Sequence, residues 1–127
     1  MKILVQSLAI GTAGFLGALA RWGVAAMLGR WFPVRFPIGT FVINITGSFF
    51  LGWFLTYVGS RYPVSDTMRL AIATGFVGAY TTFSTFMYES SRLVDEGAGI
   101  EALVNLVGSL VIGMLAVRLG VIVARRA

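Results

Sequence analysis

An all-α integral membrane protein with four transmembrane helices is the fold class this sequence predicts. Three observations carry the prediction: 57% of the residues are hydrophobic and 12% charged, the mean hydropathy is +0.87, and the apolar residues fall into four long runs. Crossing the hydrocarbon core takes about 20 apolar residues, and runs of that length lie at about 3–29, 37–58, 69–91 and 99–123. Soluble domains carry about twice this share of charge. The 127 residues leave no room for a second domain, so 1–127 reads as one transmembrane unit.

The same composition excludes most chemistry. There is no Cys and no His, which removes thiol nucleophiles, imidazole acid–base work and the usual zinc sites. Of the five acids, Asp66, Asp95, Glu96 and Glu101 fall in or beside loops, leaving Glu89 as the only carboxylate at depth. No nucleophile–base pair can be assembled from such a set, and an enzyme is not expected. The net charge of +5 is spread over helix ends. It reads as membrane flanks and not as a nucleic-acid patch.

In the first segment the start, Met1-Lys2-Ile3-Leu4-Val5, has the look of a signal peptide, yet apolar sequence resumes at Trp22 and three spans follow. Small residues four apart, Ala13 with Gly17 and Gly14 with Ala18, let another helix approach closely. Arg21 lies well inside the segment. Snorkelling to the interface would explain it, and a fixed positive charge at the floor of an aqueous vestibule is the functional reading. A contact between Arg21 and Glu89 is a third, since chain direction brings both to one side of the membrane.

Segment two follows a loop of cations, aromatics and prolines (Arg30 to Pro37), with Pro37 placed to start the helix. Thr40, Asn44 and Gly47-Ser48 recur every three to four residues and make one polar, small stripe. Interhelical hydrogen bonding would account for it. A buried Asn also offers two N–H donors, which a dehydrated anion needs.

Segment three holds Gly75-Phe76-Val77-Gly78-Ala79-Tyr80-Thr81-Thr82-Phe83-Ser84-Thr85-Phe86, with too many glycines, hydroxyls and aromatics for a helix facing lipid. Glycine disfavours helix by about 1 kcal/mol relative to Ala. A helix break near 75–81 is therefore expected, close to the bilayer midplane, where only protein or a watery cavity can satisfy non-helical backbone. A helix restarting there would aim its N–H groups at an anion, and the carbonyls freed before it would suit a cation. Phe83 and Phe86 share one helical face; Thr81, Ser84, Thr85 and Tyr88 lie beside it. Segment four adds a stripe of Asn105, Ser109 and Gly113, and a close-packing edge of Ala116, Gly120 and Ala124.

Four spans put Lys2, Arg61, Arg69, Arg125 and Arg126 on one side, against Arg30, Arg35 and Arg92 on the other. This bias is too weak to fix orientation. Four helices without an internal repeat cannot form the inverted halves of many transport folds. Two antiparallel chains can, and the mid-depth break is the feature both copies would bring to their common axis.

Gly39-Thr40-Phe41-Val42-Ile43-Asn44-Ile45-Thr46-Gly47-Ser48-Phe49, together with the segment-three stretch, resembles the Fluc (CrcB) family of microbial fluoride channels. The Gly14 to Arg21 region also fits, and the similarity covers the whole chain, most loosely in segment four. The resemblance implies an antiparallel, dual-topology homodimer in the prokaryotic cell membrane, with two fluoride pores and a central structural sodium ion. It implies Phe83 and Phe86 as pore phenylalanines, Asn44 as the pore amide, Ser84 and Thr85 in a hydroxyl-bearing wall, and the Gly78 and Thr81 carbonyls as sodium ligands. Ser109 is added to the pore by its stripe position, and Arg21, Thr40 and Glu89 are expected in the vestibule. Fluoride holds its water tightly, so a selective path must offer close donors and positive ring edges. The implied role is passive export of cytoplasmic fluoride. The alternative is a small proton-coupled multidrug exporter, which wants an ionisable acid deep in the membrane; Glu89 sits near a helix end and Arg21 would repel cations.

Overall fold

The computed structural model describes residues 1–127, and every regular element is helical. Helix α1 runs Lys2–Trp31 and α2 runs Ile38–Ser60. The third span is composite: α3 (Asp66–Arg69), a π-helical stretch Leu70–Val77, a short α4 (Gly78–Tyr80) and α5 (Phe83–Asp95). Helix α6 runs Gly99–Arg126. Four helical stretches are long and apolar enough to cross a membrane: Lys2–Trp31, Ile38–Ser60, Asp66–Asp95 and Gly99–Arg126.

Local chemistry explains the boundaries. Pro37 precedes the first residue of α2, where a missing N–H leaves no bond unmade. Ser65 caps α3, its Oγ accepting from the Met68 N–H at 3.2 Å. Helix α5 ends where Gly97 takes a positive φ of 75°, a conformation that glycine adopts without strain. There the Ala98 N–H bonds the Leu93 carbonyl at 2.7 Å and the Gly97 N–H bonds that of Val94 at 3.0 Å. Ala98 then packs against Leu93 and Ala102 in a buried cluster. This is the Schellman arrangement with its apolar contact, and it folds α6 back along α5.

Small residues set the helix pairs. A Cβ on Gly17 would collide with the Phe76 carbonyl, and one on Gly75 would lie 2.7 Å from the Ile10 carbonyl oxygen. Helix α1 therefore meets the π-helical stretch backbone to backbone. Gly120 does the same for α6 against Phe49 of α2, and Ala124 on the same edge is fully buried. The unwinding expected at Gly75 and Gly78 is absent, for both residues are helical. Gly75 serves close approach instead. The two extended residues are Thr81 (φ −80°, ψ 157°) and Thr82 (φ −151°, ψ 118°).

Only 16 of the 127 residues are buried, so a single chain leaves most of its apolar surface to be covered by lipid or protein.

Candidate functional site

Two extended residues inside a span need partners for their backbone groups, and Asn44 on α2 supplies them. Its Oδ1 accepts from the Thr82 N–H at 2.9 Å and its Nδ2 donates to the Thr82 carbonyl at 3.1 Å. The amide thus clasps one residue from both sides, leaving its second N–H uncommitted. Thr82 also starts α5: its Oγ1 accepts from the Thr85 N–H at 3.3 Å and donates to the Thr85 Oγ1 at 3.0 Å. The Thr85 hydroxyl, already an acceptor, keeps its own proton free.

These bonds change the fate of two carbonyls. In an unbroken helix the Thr82 N–H would serve Gly78 and the Thr85 N–H would serve Thr81. Here both donors go elsewhere, so the Gly78 and Thr81 carbonyls lose those partners. The Thr81 side chain turns back, its Oγ1 donating to the Val77 carbonyl at 2.9 Å. No group of three or more His, Cys, Asp or Glu residues converges anywhere. Backbone oxygens are what this region offers a hard cation.

A cavity of about 300 Å³ opens beside the clasp, lined by Asn44, Ser48, Thr82, Phe83, Phe86 and Ser109 among others. The Phe83 and Phe86 rings are 6.1 Å apart at an interplanar angle of 60°. Phe86 is 5% exposed, whereas Phe83 is 72% exposed, so half of the pair has no cover within one chain. A neighbouring cavity of about 280 Å³ is lined by Arg21, Thr40, Thr85 and Glu89. Arg21 and Glu89 share that cavity without an ion pair, and Glu89 Oε2 is buried with no hydrogen-bond partner. Arg92 is held instead by Glu96, at 3.2 Å.

The expected site residues therefore divide. Asn44, Thr81, Phe83, Phe86 and Ser109 surround one cavity; Arg21, Thr40, Thr85 and Glu89 surround the next. Ser84 and Gly78 are exposed and line neither.

The family model described as CrcB-like protein, Camphor Resistance (CrcB), matches residues 8–121. This chain belongs to the CrcB-like family. A relative from Acidobacterium capsulatum, named fluoride-specific ion channel FluC, is 46% identical over 117 residues, 92% of this chain and 94% of the relative. A relative of the same name from Solibacter usitatus is 40% identical over 126 residues, 99% of this chain and all of the relative. A third of that name, from Chloroflexus aurantiacus, is 40% identical over 114 residues, 90% of each chain. With its four spans, this CrcB-like chain is a multi-pass membrane protein.

Sequence reasoning missed three residues of the site. Thr82 carries both the cap and the clasped backbone, and the Thr82-Phe83-Ser84-Thr85 spacing is a helix-start signal that could have found it. Ser48 lines the larger cavity, as its place on the Asn44 stripe allowed. Ser90 bonds Asn105 of α6 at 2.9 Å, and nothing in its own segment marks it.

Proposed function

We propose that the chain is a fluoride-selective passive channel that exports cytoplasmic fluoride down its electrochemical gradient and lowers its toxicity. It acts as an antiparallel, dual-topology homodimer in the prokaryotic cell membrane, each copy a single transmembrane domain whose third span is broken near the midplane. The observation that carries this reading is the cavity where the Asn44 amide, the Ser109 hydroxyl and the Phe83–Phe86 pair meet. The names of the relatives point the same way.

In this mechanism an anion enters past Arg21, Thr40 and Glu89, where the guanidinium raises the local anion concentration. It sheds water as N–H and O–H donors replace that water: the free N–H of Asn44, the free proton of Thr85 and the hydroxyls of Ser84 and Ser109. Ring edges of Phe83 and Phe86 present positive potential without a full charge. Neutral, serial contacts hold the ion weakly enough for it to leave. Phe83, exposed on its own chain, and Ser84 beside it face the partner copy.

The diverted donors at Thr82 and Thr85 support a structural sodium ion held by the Gly78 and Thr81 carbonyls of both copies. When bound, it neutralises carbonyl dipoles that would otherwise repel one another at the dimer axis. No step of conduction involves it.

Proteoliposomes loaded with fluoride test the reading. A fluoride electrode outside should record efflux that follows voltage and needs no proton gradient, and Phe86→Ile should abolish it. Efflux that requires a proton gradient would instead point to the exporter.

A further inference from the structure

Behind the larger cavity runs a chain of hydrogen bonds whose direction is dictated from one end. The Ser90 Oγ donates to the Phe86 carbonyl at 2.8 Å. A carbonyl only accepts, so the single proton of Ser90 is committed and its oxygen can only accept from the next group. That group is the Asn105 Nδ2, which donates at 2.9 Å. The amide orientation is thereby fixed, and Oδ1 faces Ser109, whose Oγ donates to it at 3.3 Å. Ser90 is 2% exposed and Asn105 1%, so water does not intervene, whereas Ser109 reaches the cavity.

The consequence is chemical. A serine has one proton, and in this arrangement Ser109 spends it on Asn105, turning only lone pairs toward the cavity. An anion there is repelled by lone pairs and attracted by a donor. The 3.3 Å bond is the longest of the three, and its donor, Ser109, is the one hydroxyl of this hydrogen-bonded chain that lines the cavity.

We propose that Asn105 and Ser90 are positioning residues for fluoride passage, acting by making Asn105 Oδ1 compete with the ion for the Ser109 proton. Ser109 then has two states. With its proton on Asn105 it lets the ion go; with the proton turned to the cavity it holds the ion. The competition keeps this contact weak, as conduction through serial sites requires. The proposal rests on the fluoride-channel reading and adds two residues outside the ion's path.

The test measures initial fluoride efflux from proteoliposomes against internal fluoride concentration. Asn105→Leu removes the competing acceptor and, being similar in shape, leaves no buried donor unpaired. Ser90→Ala removes the group that orients the amide, which can then flip and donate to Ser109. Both variants free the Ser109 proton. Each should lower the half-saturating fluoride concentration about fivefold, the factor carried by one neutral hydrogen bond, and lower maximal efflux with it. Both shifts should vanish when Ser109→Ala is also present. A purely packing role for Asn105 predicts loss of maximal efflux with no such split, persisting in the Ser109→Ala background. Either of those results, or a shift toward higher half-saturation, overturns the proposal. Wild-type vesicles run alongside separate the two claims: efflux there with unmoved variants rejects only the role of Asn105 and Ser90, while no wild-type efflux rejects the channel reading as well.

Discussion

At the scale of single residues, Asn44 carries two loads. Its amide holds the Thr82 backbone at 2.9 and 3.1 Å, and the residue also lines the cavity. Asn44→Leu removes both bonds and strands the half-buried N–H and C=O of Thr82. It should lower stability by about 1–3 kcal/mol per stranded group, read as a drop in melting temperature in detergent together with loss of fluoride efflux. Phe83 behaves differently. Because it is 72% exposed on its own chain, Phe83→Ile should leave the stability of one chain within about 0.5 kcal/mol while suppressing efflux. Thermal unfolding and the fluoride electrode, run on the same preparation, separate the two.

At the scale of elements, the third span is a π-helical stretch, a short helix, two extended residues and a capped helix. Thr82 is the hinge of that construction. Thr82→Val loses the cap to Thr85 and should destabilise α5 by about 1 kcal/mol, seen as faster amide exchange in its first turn. Thr82→Ser keeps the hydroxyl and should restore protection. The α1 contact offers a sharper contrast. Gly17→Leu drives a side chain into the Phe76 carbonyl, and overpacking of this kind destabilises by about 1–3 kcal/mol or more. Gly23, on the same helix, has nothing within 4 Å of its Cβ position, so Gly23→Leu should leave the melting temperature unchanged.

The whole molecule raises the question of the second copy. The chain has no cysteine, so an introduced thiol is unique. Gly78 is exposed, with no atom nearer than 3.8 Å to its Cβ position, and lies mid-span; Asp95 lies at a span end. In an antiparallel pair crossing at mid-depth, Gly78→Cys should form a disulfide-linked dimer under oxidant and Asp95→Cys should not. A parallel pair would let an end position cross-link as well. The sodium reading adds a linkage effect. A cation that binds only the assembled dimer stabilises it by mass action, so replacing sodium with a bulky organic cation should lower the dimer's melting temperature and restoring sodium should reverse it.

The spans and most of the candidate site were legible in the sequence, and the reason is the solvent. A bilayer demands long apolar runs, so polar residues that interrupt them stand out: the Thr40–Asn44–Ser48 stripe, the aromatic and hydroxyl cluster at 80–86, Arg21 and Glu89. By itself, then, the sequence determined the four membrane-spanning helices and the cast of polar residues between them, because each is a one-dimensional departure from hydrocarbon character. Only the tertiary structure decided where the backbone leaves the helix. Glycine propensity points to Gly75 and Gly78, yet Gly75 is needed for contact with α1, and the extended residues are those whose N–H and C=O the Asn44 amide can reach from another helix. The direction of the Ser109–Asn105–Ser90 bonds was likewise invisible beforehand, since it is set by a carbonyl on a helix that the chain brings alongside only after folding.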